Sequence, residues 1–152
     1  MDATNGCEEF IRVIEGTYTN KKQAQSDPTG FIWAWIQWIN LGDSKLQSRQ
    51  WYHHDGEVYR ERNFIVQKSN DNIILVNHTL EWKPVGCDIQ WKVAHDGWKS
   101  EGSCTIGDLE VYYTGYLSKG QYRSWDRGFV NGKQVIGNTK SEFIFDRQYK
   151  KL

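Results

Sequence analysis

The feature that most constrains this chain is a succession of short runs rich in β-branched and aromatic residues, separated by turn sequences. The runs span residues 31–40, 46–54, 57–68, 72–82, 86–93, 97–105, 109–117, 121–130 and 141–147. Turn signals such as Asp55-Gly56, Asp96-Gly97 and Asn131-Gly132 stand between them. Such close spacing joins antiparallel neighbours, and no helices alternate with the runs, so a doubly wound α/β fold is disfavoured. The sequence predicts a mainly β protein.

Only the N-terminal part shows another pattern. Residues 7–16 have the apolar spacing of an amphipathic helix that Gly16 ends, and residues 20–25 predict a short polar helix or turn. No internal repeat or linker divides the chain, so residues 1–152 are predicted to form one domain. We expect a single antiparallel β-barrel with an N-terminal helix, with a two-sheet sandwich as the alternative.

Charge and composition limit the classes of function. The 19 basic and 19 acidic residues give no net charge, which argues against a general nucleic-acid binder. No signal peptide is visible, and the longest apolar run, residues 31–36, is far shorter than the roughly 20 residues of a membrane helix. We therefore expect a soluble cytoplasmic protein without membrane contact. Eight Trp, eight Tyr and six Phe suit either an aromatic β-core or a barrel interior that faces a flat ligand.

Two arginines fall on the more apolar face of one predicted strand. Alternation places Arg60 and Arg62 on the side of Phe64 and Val66, with Tyr59 on the other side. Guanidinium groups in an apolar cavity are tolerated when anionic groups meet them, which favours a ligand with two carboxylates. Each charge-assisted hydrogen bond of this kind contributes about 1.5–3 kcal/mol. The alternative is that both arginines lie outside and pair with surface acids, for about 0–1 kcal/mol.

A second charged motif, Ser124-Trp125-Asp126-Arg127-Gly128, opens another predicted strand. Adjacent strand residues face opposite ways, so Asp126 and Arg127 are not expected to pair, and one of them is predicted to point into the barrel. A buried aspartate needs donors, which a ligand rich in N–H groups would supply. The alternative is an aspartate near a turn that accepts from backbone amides, with Arg127 on the surface.

Other signatures of chemistry are weak. The four histidines lack metal-ligand spacing, no glycine-rich loop opens a helix, and no Gly-x-Ser-x-Gly elbow occurs. The three cysteines, Cys7, Cys87 and Cys104, form neither a metal site nor an even disulfide framework. We therefore expect no metal or nucleotide cofactor, and three free thiols in a reducing cytosol; the alternative for Cys87 and Cys104 is that they are strand neighbours.

Several stretches together resemble the CpcT/CpeT family of phycobiliprotein chromophore lyases, nearly from end to end. The matching segments are Gly16-Thr17-Tyr18-Thr19-Asn20 with Gln23-Ala24 and Pro28, Tyr59-Arg60-Glu61-Arg62, Gly86-Cys87, Gly102-Ser103-Cys104, Ser124-Trp125-Asp126-Arg127-Gly128, Gln134-Val135-Ile136-Gly137, and Phe143-Ile144-Phe145. The chain departs from the family at Arg49, where glutamate is usual, and at Ile136, where tryptophan is usual. The connection at residues 80–86 is short, as in compact variants encoded by cyanophages.

The resemblance implies a calycin/lipocalin-like β-barrel that binds a linear tetrapyrrole, a bilin. It implies that the two bilin propionates meet Arg60 and Arg62 and that the pyrrole N–H groups meet Asp126. It also implies that Tyr59 and Trp125 flank the flat conjugated body of the bilin.

The implied reaction attaches the bilin by a thioether to a cysteine on the β subunit of a phycobiliprotein. Asp126 would stabilise the protonated, more electrophilic bilin, and Arg127 would assist ionisation of the acceptor thiol. Cys87 and Cys104 are candidate thiols for transient bilin attachment, with buried structural thiols as the preferred interpretation.

Phycoerythrobilin is favoured over phycocyanobilin because the compact form resembles the CpeT branch. A bilin reductase is a candidate donor of the chromophore, and exposed aromatic strand faces permit a homodimer. The expected location is the cytoplasm of a cyanobacterial cell, or of the host cell if a phage encodes the chain. Two alternatives remain open: a bilin-binding chaperone or carrier that does not transfer its ligand, and a lipocalin-like carrier of an apolar acid.

Overall fold

The computed structural model describes residues 4–149, which form two helices and eleven strands. The helices are α1 (Thr4–Ile14) and α2 (Lys21–Ser26). The strands are β1 (Gly16–Thr19), β2 (Ala34–Gly42), β3 (Lys45–Tyr52), β4 (Val58–Ser69), β5 (Asn72–His78), β6 (Ile89–Ala94), β7 (Gly97–Ile106), β8 (Leu109–Leu117), β9 (Gln121–Val130), β10 (Lys133–Ile136) and β11 (Phe143–Gln148).

The strands form a closed antiparallel barrel. Their order is β9-β11-β1-β2-β3-β4-β5-β6-β7-β8, and β8 pairs in turn with β9, which closes a ring of ten strands among the described residues. The short β10 lies outside this ring and pairs with the second half of β9. The predicted barrel with an N-terminal helix is confirmed, and the alternative of a two-sheet sandwich is wrong because the ring has no open edge.

All nine predicted runs form strands, but the pattern missed β1 and β10. Each has only four residues, which is too short for alternation to be recognised. Residues 79–82, predicted as the end of a strand, form a turn instead. Trp82 adopts a left-handed φ of 63° there, which a continuing strand cannot accommodate.

Helix α1 closes one end of the barrel. Phe10 and Ile14 are fully buried, and the Phe10 ring lies 5.7 Å from the ring of Trp91 and 5.4 Å from that of Trp98. The helix lies against the end of β4 and the start of β5, far along these strands from the start of β4 at Val58. The opposite end of the barrel therefore stays open, and the charged motifs of β4 and β9 lie there.

Arg147 fixes α1 to the barrel. Its guanidinium donates to the carbonyl oxygens of Val13 and Glu15, at the end of α1 where carbonyls lack helical partners, and to the hydroxyl of Tyr18. Its Nε donates to Lys119 O at 2.6 Å. No helix within residues 4–149 is long and apolar enough to cross a membrane.

Candidate ligand-binding site

Two cavities occupy the open end of the barrel. The first, of about 390 Å³, lies between β2, β3, β4, β9 and β11. The second, of about 370 Å³, lies between β4, β5, β8, β9 and the connection before β6. Both border on the same four residues, Tyr59, Arg60, Asp126 and Ile136. Each volume falls within the roughly 300–1,000 Å³ typical of small-molecule sites, and the shared residues make the two cavities halves of one mouth.

An ion pair separates the two cavities. Arg60 Nη1 lies 3.8 Å from Asp126 Oδ2, and their strands, β4 and β9, stand opposite one another in the ten-strand ring. The pair therefore spans the lumen. About 40% of each side chain remains exposed, so water screens the attraction, which contributes only about 0–1 kcal/mol. A ligand that offers better partners can replace it.

The environment of Asp126 favours its neutral form. Enclosure by the barrel wall raises the pKa of the Asp126 carboxyl, and the positive charge of Arg60 partly offsets this increase. Beneath it, burial raises the pKa of Tyr122, which stays a neutral phenol. An additional cationic or N–H partner would therefore stabilise the ionised form of Asp126.

Arg62 carries a second positive charge on the same inner face. Arg62 borders the second cavity, and its partner on the neighbouring strand is the buried Ser48. Burial, together with the like charge of Arg60, lowers the pKa of Arg62. Its Nη1 donates to Glu61 O, while its Nε is buried without a hydrogen-bond partner among residues 4–149. The alternative of two outward arginines is wrong; it is Arg49 that pairs outside, with Glu61 at 3.5 Å.

Tyr59 also reaches the cavities, although alternation predicted it on the face opposite Arg60. The pairing of β3 with β4 shifts register at this point, and this β-bulge places Tyr59 at the mouth beside its neighbour. The Tyr59 ring stacks on Tyr52 with centroids 4.3 Å apart, and its hydroxyl donates to Gln50 Oε1 at 2.9 Å. Burial raises the pKa of Tyr59 to about 12, so it remains a neutral hydrogen-bond donor.

Trp125 and Arg127 form a pair of their own. The Arg127 guanidinium lies 4.1 Å from the centroid of the Trp125 ring, and Trp125 Nε1 donates to Asn138 O at 2.8 Å. Asp126 and Arg127 face opposite ways, as alternation predicts, and it is Asp126 that points into the lumen. The structure thus brings Tyr59, Arg60 and Asp126 together at the mouth. Arg127 borders the second cavity and is engaged with Trp125, which borders the first.

The cysteines correct a prediction. Cys87 and Cys104 are joined in a disulfide, with Cα atoms 5.4 Å apart, so the expectation of free thiols is wrong for both. Cys87 lies in the connection before β6 rather than on a strand, at a φ of 56°, and borders the second cavity. The connection after β5 folds back to β7, which sequence spacing did not reveal. Cys7 is free and buried. Neither bonded cysteine can act as a nucleophile unless the disulfide is reduced.

The described part of the chain holds no group of three or more His, Cys, Asp or Glu residues suited to a metal ion.

Sequence reasoning missed Asn77, an inner-face residue of β5 that borders the second cavity. The one sequence signal for Asn77 is alternation in β5, which places it on the same face as the buried Ile73 and Leu75.

Comparison with solved structures identifies the fold. A T-type phycobiliprotein lyase, CpeT from Prochlorococcus phage P-HM1, superimposes with a TM-score of 0.78 at 20% identity, covering 94% of this chain and 98% of that chain. The chain has the fold of a T-type phycobiliprotein lyase. The CRL protein of Arabidopsis superimposes with a TM-score of 0.72 at 14% identity, covering 97% of this chain and 100% of that one. No family model and no curated protein matches the sequence. The predicted resemblance is confirmed at the level of the fold.

Proposed function

We propose that this protein belongs to the CpcT/CpeT family and is a phycobiliprotein lyase acting in the cytoplasm. It binds a linear tetrapyrrole, phycoerythrobilin in preference to phycocyanobilin, and promotes attachment of this chromophore to a cysteine of a phycobiliprotein β subunit. The observation that carries the proposal is the Arg60–Asp126 pair, set between two cavities at the mouth of a barrel with the lyase fold.

The chemistry of a bilin complements this mouth. Its two propionates accept hydrogen bonds from Arg60 and Arg62, and its pyrrole N–H groups donate to Asp126. The ion pair across the lumen is long and partly exposed, so its loss on binding costs little. The stacked rings of Tyr52 and Tyr59 offer a flat wall to the conjugated system.

The proposed reaction is the addition of a thiol to the exocyclic ethylidene double bond of ring A. A sulfur–carbon bond forms, the carbon–carbon double bond becomes single, and the other carbon takes up the proton that the thiol has lost. Ionised Asp126 stabilises the protonated, more electrophilic bilin. An ordinary cysteine, with a pKa of about 8.5, is mostly protonated at neutral pH, and the positive charge of Arg127 near the second cavity favours its thiolate.

A second candidate function is a bilin chaperone that binds without transfer. It is favoured by the engagement of Arg127 with Trp125 and of Asp126 with Arg60, which leaves neither group free to act on a thiol before the site rearranges. Much of the benefit of a lyase comes from holding and orienting the bilin, and a chaperone would retain that part.

The test mixes the protein with phycoerythrobilin, with and without an apo-phycoerythrin β subunit, and follows absorbance and zinc-induced fluorescence after denaturing electrophoresis. A red-shifted bilin spectrum together with an acid-stable coloured β-subunit band supports the lyase. Binding without a covalent band supports the chaperone. An unchanged spectrum with both phycoerythrobilin and phycocyanobilin overturns the proposal.

Variants at the mouth separate a bilin site from a carrier of apolar acids. We expect Arg60→Gln to weaken phycoerythrobilin binding at least about tenfold, since it removes one charge-assisted hydrogen bond. Arg49→Gln, on the neighbouring strand β3 but on the outer face, is the matched control and should bind normally. Asp126→Asn should change the absorption spectrum of the bound bilin, whereas a carrier of apolar acids would be indifferent to it.

A further inference from the structure

The buried side-chain amide of Asn77, at the second cavity, has an oxygen that accepts no hydrogen bond from the described residues. Asn77 is only 7% exposed, borders the second cavity, and its Oδ1 is buried without a hydrogen-bond partner among the described residues. Its backbone groups are both satisfied, because its N–H donates to Asp88 Oδ1 and its carbonyl accepts from Val85 N–H, each at 3.0 Å. Asn77 is therefore held firmly in place, with only its side-chain amide left over.

Other buried asparagines in the chain are satisfied. Asn20 is fully buried, and its amide donates to Ile32 O at 2.9 Å and accepts from Ala34 N–H at 2.8 Å. Asn63, which is 3% exposed, donates to Leu80 O and accepts from Gln47 Nε2. Buried polar groups in native proteins are paired as a rule, because an unpaired one is destabilising. Asn77 is the exception among the buried asparagines, and because it borders the second cavity, we look for its missing partner in a group that enters that cavity.

The chemistry of the amide indicates that partner. A side-chain amide presents a donor, Nδ2, beside an acceptor, Oδ1. Its complement is a group with an N–H beside a C=O on the same side, as in a cyclic lactam, and the two can form a pair of parallel hydrogen bonds. The terminal rings of a linear tetrapyrrole are such lactams. We infer that Asn77 binds a terminal lactam ring of the tetrapyrrole in the second cavity, an inference that rests on the proposed function.

This contact defines how the ligand lies in the mouth. Arg60 and Arg62 border the same cavity as Asn77 and take the propionates of the two central rings. One end ring then lies against Asn77, and the chain of rings passes the Arg60–Asp126 pair so that the other end occupies the first cavity. The Cys87–Cys104 disulfide holds the connection whose Val85 and Asp88 fix Asn77.

The test compares the wild type with Asn77→Leu, of similar size, and with Asn77→Asp, which keeps the size but loses the donor at neutral pH. We expect phycoerythrobilin to bind Asn77→Asp about tenfold more weakly, the equivalent of one lost hydrogen bond, and to bind Asn77→Leu, which loses both hydrogen bonds, more weakly still. In infrared or Raman difference spectra, the lactam carbonyl stretch of the bound bilin should shift to higher frequency in Asn77→Leu. Without ligand, Asn77→Leu should melt no lower than the wild type.

Asn20→Leu is the control, because it removes an amide that is fully used and should lower the melting temperature. If Asn77→Leu and Asn77→Asp bind phycoerythrobilin within twofold of the wild type, the inference is overturned while the proposed function stands. If ligand-free Asn77→Leu melts as low as Asn20→Leu, the amide is satisfied within the protein and the inference fails. If the wild type binds no bilin, the proposed function itself fails.

Discussion

Opening the Cys87–Cys104 disulfide should destabilise the barrel by an amount that follows from the length of the closed loop. The bonded residues are 17 positions apart, and a cross-link of that span removes unfolded-chain entropy equivalent to about 3 kcal/mol. For a chain of this size, such a loss corresponds to a melting temperature lower by about 6–12 °C. The assay is urea unfolding followed by tryptophan fluorescence, with and without a dithiol reductant.

The matched controls are cysteine variants. The double variant Cys87→Ala with Cys104→Ala should unfold like the reduced wild type and ignore the reductant, whereas Cys7→Ser should keep the full response. The reasoning is refuted if mass spectrometry finds the bond in the oxidised protein and yet reduction leaves the urea midpoint unchanged. In that event the barrel alone would constrain the connection between β5 and β6.

Three further predictions concern the mouth and the closed end. The folded pKa of Asp126 lies above the ordinary value of 3.8, so ionising this carboxyl as pH increases above about 4 destabilises the wild-type protein. Asp126→Asn has no such group, so without ligand its melting temperature should rise relative to that of the wild type over the same pH range. Arg147→Gln should lower the free energy of unfolding in urea by about 2 kcal/mol, because the end of α1 loses its charged hydrogen bonds, and Arg147→Lys should restore little. Gly137→Ala should weaken bilin binding in an absorbance titration, since φ is 96° and a methyl group would collide with Asp126 O; unchanged binding would contradict it.

The strands of the barrel were largely predictable because alternation and turn residues are local properties of the chain. The same rule placed Arg60 and Arg62 on the more apolar face of their strand, but for Asp126 and Arg127 it predicted only that they face opposite ways. It failed at Tyr59, because one bulged residue turns a side chain to the other face of the strand without changing the hydrophobic pattern of the sequence. It also failed at the disulfide, since the pairing depends on how the connection between β5 and β6 folds back to β7.

The sequence by itself determined the class of fold, most of the side chains that share a face of each strand, and the two charged motifs of the mouth, because each depends on residues within one strand or one turn. Only the tertiary structure decided that β4 and β9 stand opposite one another, so that Arg60 meets Asp126 across the lumen. It also decided that Asn77 is buried at a cavity without a partner for its Oδ1 among residues 4–149. The physical reason is that contacts across the lumen depend on how many strands close the ring and at what register, which is a property of the whole chain.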